Sequence, residues 1–446
     1  MDYVELLRKI IAFETVNDRI KDQHPTRDCP DYLRDILAAS NITTEIIEQN
    51  GYYAVLGFLG KGRPITCFIA HYDVVPVGSG WNSNPFELTI RDGKGYGRGA
   101  ADDKGNVVAL LLTAETLASQ ALPGTVVFAM TGDEELGGNN GAAAVRQRLE
   151  QLDSYPNYLV TADGLGMQLI TRRRNTCGFT ITVPKKPKPI QGAPVRHRFT
   201  TEFLGRETRH SAYFQPGVDI HALLAASSFL RFHPHLQVVE VDGGFLKSNV
   251  VPDWVELLCF NPLEENSTLE EHVYDENLTR LLRVLLPLSR VHFPAYPSDY
   301  GITLCPNLLL QREDVWEVYF DGRAMTTDTA AEEAAINAVL KEQLIGIDYT
   351  LTVHMGKAYM NTPSTTRIVT TAQEIANQLG LDRSLIEMGG ASDNRHFTDR
   401  PIEAIDFGPV GNNIHGPNEY VVLDSIPKVA SFYTRLVKSL HGQSSR

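Results

Sequence analysis

Cys67-Phe68-Ile69-Ala70-His71-Tyr72-Asp73-Val74-Val75-Pro76 reads as an apolar strand that acquires a histidine and an aspartate just before it stops at a proline. Residues two apart on a strand point to the same face, so His71 and Asp73 sit side by side at the end of a segment otherwise fit for burial. Two ionisable groups there are costly unless they pair or bind something. A histidine that ligates a metal while the aspartate holds its ring meets that condition. A structural His–Asp hydrogen bond at a strand end meets it too. The choice between them rests on the rest of the chain.

The same pattern recurs outward from this strand. Gly95-Tyr96-Gly97-Arg98-Gly99-Ala100-Ala101-Asp102-Asp103-Lys104-Gly105 is a glycine-rich loop leading into an apolar run over 107–117, a buried helix. Acids at a helix start are common and stabilising. Capping accounts for one Asp, but not for the glycines that let the backbone crowd around it. The apolar strand over 125–130 ends in Thr131-Gly132-Asp133-Glu134-Glu135, where three acids repel one another, as acids in a surface turn also do. Leu159-Val160-Thr161-Ala162-Asp163-Gly164 is again an apolar run, an acid and a glycine. The order strand, helix, strand, helix, strand predicts an α/β layer with a largely parallel sheet, whose sites form beyond the C-terminal strand ends.

Composition narrows the function classes. A chain of 446 residues, 43% hydrophobic, is too long for one simple domain. The formal net charge of -13 argues against a general nucleic-acid binder. The five cysteines are scattered and never spaced as CxxC, which favours reduced thiols in a cytoplasmic protein and argues against a thiolate zinc site. No secretory leader or membrane-spanning run is apparent. Gly60-Lys61 is not a phosphate loop, because Val55 stands where its first glycine belongs and no Ser or Thr follows the lysine. A dinucleotide fingerprint is also absent.

After Arg172-Arg173-Arg174 the pattern changes to alternating strands, with helices expected over 217–232, 279–288 and 329–344. This predicts an inserted α+β domain with one open sheet and one solvated face. Pro184-Lys185-Lys186-Pro187-Lys188-Pro189 reads as an exposed loop. The α/β pattern resumes near Pro363 and runs through Gly389-Gly390-Ala391-Ser392-Asp393 to Ile414-His415-Gly416-Pro417-Asn418-Glu419. The expected division is 1–174 and 359–446 for a catalytic domain, with 175–358 inserted as a lid.

The strand-end groups collect as His71, Asp102, Glu134, Glu135, Asp163 and His415. Two histidines and several carboxylates without thiols suit zinc, cobalt or manganese. Five ligands and a spare carboxylate are the content of a two-metal hydrolytic site. At this point the chain resembles the M20 family of metallopeptidases and deacylases: carboxypeptidases, dipeptidases, aminoacylases and succinyl-diaminopimelate desuccinylase. The stretches that carry the likeness are 71–76, 97–105, 133–135 and 414–419, in the family's order and across most of the chain.

The resemblance implies a zinc-exopeptidase-like α/β fold and two zinc ions. Asp102 bridges them, His71 and Asp163 complete one, and Glu135 and His415 complete the other. Glu134 is general base and then proton donor, and Asp73 orients His71. In the lid, Arg209-His210-Ser211-Ala212-Tyr213 matches the motif whose histidine, often from the other subunit of a dimer, stabilises the oxyanion. Arg323 matches the arginine that binds a substrate carboxylate, and Asn249 a substrate contact for which Asn307 competes. The stretch over 261–300 departs from the family pattern as an insertion, which bears on both a homodimer through the lid and the pocket.

The function so implied is cleavage of an amide bond beside a free carboxylate in a small peptide, by a carboxypeptidase or dipeptidase. The alternative is an N-acyl-amino-acid deacylase. A non-catalytic binding protein on this scaffold would have lost a ligand or the base, yet all six positions hold competent residues.

Overall fold

A computed structural model of the chain describes residues 1–18, 21–205, 209–262 and 270–442. It divides into two compact units, 1–173 with 358–446 and 174–357.

The first unit is built on a nine-stranded mixed sheet. Its path runs Thr43–Gln49, Tyr52–Lys61, Gly124–Thr131, Ile65–His71, Tyr158–Thr161, Glu403–Asp406, Leu169–Arg173 and Met360–Asn361, with Leu385–Met388 beside Leu169–Arg173. The centre is parallel: Ile65–His71 lies between Gly124–Thr131 and Tyr158–Thr161, and every residue of these three strands is buried. Continuous apolar runs are what a parallel sheet covered on both faces requires. Alternation sends Phe68 and Ala70 to one core, and Cys67 and Ile69 to the other. Helices Tyr3–Ile11, Lys104–Ala118, Arg367–Gln378 and Ser425–Leu440 contribute to the first core, and Ala142–Gln151 to the second.

Thr43–Gln49, Tyr52–Lys61 and Gly124–Thr131 pair antiparallel on one flank, and on the other Leu169–Arg173 pairs antiparallel with Met360–Asn361 and parallel with Leu385–Met388. Thr43–Gln49 and Tyr52–Lys61 form a hairpin closed by Asn50 and Gly51, both at positive φ (52° and 80°). That is the two-residue turn whose twist matches paired strands.

The second unit differs from the single open sheet expected. It holds two antiparallel four-stranded sheets, one ordered Gln237–Gly243, Trp254–Asn261, Pro187–Thr200, Glu270–Asp275, the other Thr303–Gln311, Val315–Ala324, Asn175–Pro184, Met355 back to Thr350. The helices are Ala222–Phe232, Glu276–Ser289 and Thr329–Gln343. The basic proline stretch is not a loop throughout. From Pro187 it pairs with Glu270–Asp275, and Lys186 and Lys188 reach Glu276 at 2.7 and 2.9 Å. Proline survives there because its missing N–H falls on a partly unpaired strand. The insertion therefore supplies a strand and a helix to this unit, while 263–269 lie outside the described residues.

One acid in this core lacks any compensation. Glu332, in the first turn of Thr329–Gln343, is fully buried, and neither carboxylate oxygen has a hydrogen-bond partner among the described residues. Burial pushes its carboxyl up to about 8. The folded chain therefore keeps a proton that the unfolded chain releases near the ordinary value of 4.5, so stability falls as pH rises from there through about 8. Glu332→Gln is expected to unfold at a higher temperature than wild type at pH 9 and at nearly the same temperature at pH 4. A difference on the order of 2–5 kcal/mol is expected at the alkaline end. Thermal scans across pH check this, and parallel pH profiles for the two proteins contradict it.

Candidate metal centre

His71 ends the central strand and is buried with Asp73. Its Nδ1 donates to the Asp73 carbonyl at 3.0 Å and lies 3.3 Å from Asp73 Oδ1. That leaves Nε2, which faces Asp102 Oδ1 at 3.0 Å. The other Asp102 oxygen lies 3.1 Å from Nε2 of His415, which is also 3.0 Å from Glu135 Oε1. Two sets of donor atoms result: His71, Asp102 and Asp163, and Asp102, Glu135 and His415, the atoms of each within 4.8 Å of one another. They share Asp102. Glu134 is the neighbour of Glu135 in a short turn whose Glu134 and Glu135 amides both donate to the Asp73 carboxylate at 3.2 Å. The structure thus brings together seven residues singled out in the sequence: His71, Asp73, Asp102, Glu134, Glu135, Asp163 and His415.

The electrostatics ask for cations. Burial pushes the Asp163 carboxyl well up, with Arg173 offsetting only part of it. Burial also raises Glu135, against the pull of His415. For the two histidines burial acts downward, yet Asp102 and Asp73 hold His71 well above its ordinary value, and Glu135 and Asp102 do the same for His415. Buried acids this close bind protons unless metal ions take their place. The all-N/O donor set fits a pair of divalent ions such as zinc, with His71 and Asp163 on one side of Asp102 and Glu135 and His415 on the other.

A sequence model of peptidase family M20/M25/M40 matches residues 67–439. The chain belongs to that family. The succinyl-diaminopimelate desuccinylase of Thiobacillus denitrificans is 26% identical over 453 residues, covering 98% of this chain and 97% of that one. That of Bordetella bronchiseptica is 27% identical, covering 93% of each. Among solved structures, an aminoacylhistidine dipeptidase from Vibrio alginolyticus aligns with a TM-score of 0.70 at 14% identity, covering 98% and 96% of the two chains. An M20 metallo-carboxypeptidase from Sulfolobus solfataricus aligns at 0.63 and 16%, covering 99% of each. This M20 chain is a metal-dependent peptidase or amidohydrolase, with the α/β fold of these neighbours.

Several further residues support the centre, and of these only Asp103, expected behind the ligands or at the helix start, has a role legible in the sequence. The buried Glu419 carboxylate accepts from Arg98 Nη1 at 2.7 Å and from the amides of Gly99, Ala101 and Asp102 at 2.9–3.0 Å. It fixes the loop that carries Asp102. Gly99 sits at φ 80°, where a Cβ would come within 2.7 Å of Val74. Asp103 accepts from the His71 amide at 3.1 Å and from Asn106 at 2.7 Å, behind the ligands. Asn17 donates to Asp73 at 2.6 Å. Arg173 pairs with Asp406 and donates to the Asp163 carbonyl at 2.7 Å. Arg395 Nη2 lies 3.5 Å from Glu134 Oε1. His415 itself adopts φ 63°, a left-handed conformation that costs a non-glycine residue energy and clusters at functional sites.

His210, Asn249 and Arg323 belong to the second unit. His210 Nδ1 accepts from the Ala212 amide at 3.0 Å, so the ring proton of the neutral form is on Nε2, 3.4 Å from the Asn249 amide nitrogen. Ser211 links this pair to Asp321: its hydroxyl contacts both the Asn249 carbonyl and the Asp321 carboxylate. Arg323 faces Asp321 through Nε and Nη2 at 3.2 and 3.1 Å. Asn307 is fully buried and donates to the Ser248 carbonyl at 2.7 Å, beneath the turn that carries Asn249.

The shared carboxylate generates a prediction. Asp102→Ala is expected to reduce bound metal from about two ions per chain to fewer than one, whereas Glu134→Gln keeps about two. Metal analysis after dialysis measures this. Asp102→Ala retaining two ions contradicts the arrangement.

Proposed function

We propose that this enzyme is a two-zinc exopeptidase that cleaves the amide bond next to a free carboxylate in a di- or tripeptide, with cobalt or manganese able to replace zinc. The observation that carries the reading is the pair of ligand sets sharing Asp102 with Glu134 beside them. Metal ions held there supply Lewis acidity and lower the pKa of water. The chain's own residues do the rest. Asp73 holds His71 in the tautomer that presents Nε2. The Glu134 carboxylate takes the proton from the attacking water and passes it to the departing amine. His210 offers its Nε2–H to the developing oxyanion, with Asn249 as a neighbouring donor. Arg323 binds the terminal carboxylate through the part of its guanidinium not engaged by Asp321.

The names of the structural neighbours, a dipeptidase and a carboxypeptidase, support the peptide reading. A second reading, hydrolysis of an N-acyl amino acid, is favoured by the curated relatives named as desuccinylases. Both use the same centre. Five buried free thiols support a cytoplasmic setting.

Hydrolysis of a mixed panel of dipeptides, their C-terminal amides and N-acyl amino acids discriminates them. Wild type is expected to prefer dipeptides with a free carboxylate. Glu134→Ala is expected to lose about 10²–10⁴ in kcat while retaining metal. Arg323→Met is expected to raise KM about tenfold or more for free acids and to leave the amides unchanged. Preference for acyl amino acids supports the second reading, and cleavage of amides as fast as acids overturns the carboxylate requirement.

A further inference from the structure

The second unit carries a cleft of about 680 Å³ whose lining includes Arg231, Arg280, Arg283 and Arg290, with Ser228 and Phe232. Two of the arginines come from helix Glu276–Ser289, one from helix Ala222–Phe232, and Arg290 from just beyond the former. The chain has 54 acids to 41 bases, so a cluster of cations without acids runs against its composition. Elsewhere in this unit Arg196, Arg198, Arg209, Arg312 and Arg323 each lie within 4.0 Å of a carboxylate. Among the described residues, none of the four cleft arginines does.

Part of this clustering has a structural role. Arg283 donates to the carbonyls of Leu230, Pro234 and Leu236, and Arg280 to that of Ile345, which closes helix ends. Arg231 donates to the Arg283 carbonyl and to Gln343. Carbonyls satisfy N–H groups but leave the positive charges uncancelled. Burial, reinforced by the like charge of Arg280, depresses the Arg283 guanidinium. Arg290 is exposed and has no side-chain partner among the described residues. Capping explains two of these residues and leaves Arg231 and Arg290 without a carboxylate for their charge.

We infer that this cleft is a binding site for a small polyanion, separate from the metal centre, and that its ligand carries two or more phosphate groups. Four forked cations from two helices and the C-cap of one of them match an anion whose charge is distributed along its length, and arginine suits planar multidentate recognition of oxyanions. The absence of lysine from the lining fits that chemistry. Phe232, 81% exposed at the cleft, offers an aromatic face to any base or ring attached to the phosphates.

The test is calorimetric titration of the metal-loaded full chain with tripolyphosphate, ATP and citrate, on wild type and on the Arg231→Glu/Arg290→Glu double variant. Both substituted residues are exposed, so folding is preserved, and peptide hydrolysis at the metal centre is expected to be unchanged. Tripolyphosphate binding that weakens about tenfold or more in the double variant supports the site. Tighter binding of ATP than of tripolyphosphate assigns a contribution to Phe232. Citrate binding tighter than either phosphate, and lost in the variant, overturns the phosphate assignment. Heat that is the same in wild type and variant is chelation at the metal centre, and overturns the site, as does no binding at all.

Discussion

Asp102 gives one carboxylate oxygen to His71 and the other to His415. The first unit is arranged to make that possible. These histidines lie 344 positions apart in sequence, one at the end of strand Ile65–His71 and the other in the loop between strands Gly411–Asn412 and Tyr420–Val422. Glu419, four residues beyond His415, accepts four hydrogen bonds from the loop bearing Asp102. The loop over 98–102 and the segment over 415–419 are thereby joined at the site. Burying so many acids in one place is unfavourable for an apo chain and favourable once cations are bound, so metal affinity and folding of this region are coupled.

The second layer of contacts works by removing choices. Asp73 serves His71 through its carbonyl, and the amides of Glu134 and Glu135 and the side chain of Asn17 through its carboxylate, so one residue sets both a histidine tautomer and the turn that carries Glu134. Arg173 supports Asp163 through its carbonyl while neutralising Asp406 beneath it. Arg395 stands beside Glu134. In the second unit the same economy appears as a chain from His210 through Asn249, Ser211 and Asp321 to Arg323. A substitution at Asp321 or Ser211 would therefore disturb His210, Asn249 and Arg323 together.

Much of this was legible before any coordinates. Apolar runs ending in His71, Glu134 and Asp163 announced parallel strands with chemistry at their C-terminal ends, because a doubly covered strand cannot hide its polar residues elsewhere. What stayed hidden is instructive. Thr43–Gln49 has few apolar residues and lies at a sheet edge, so its period is weak; the Asn50-Gly51 turn was the available signal. Glu419 resembles any surface acid, and only backbone amides folded against it reveal its role. Arg173 sat in a run of three arginines that composition alone reads as solvated, yet it and Arg174 are buried. The two sheets of the second unit cannot be told from one in the sequence, because strand pairing between distant segments leaves no local mark there.

The central claim is that one carboxylate, Asp102, is shared by two metal ions. Anomalous diffraction from crystals grown with zinc, recorded on both sides of the zinc absorption edge, tests it without reference to activity. The account predicts two anomalous peaks about 3.5–4 Å apart flanking Asp102, one beside His71 and Asp163 and the other beside Glu135 and His415. A single peak, or two peaks of which one lies away from Asp102, would contradict it.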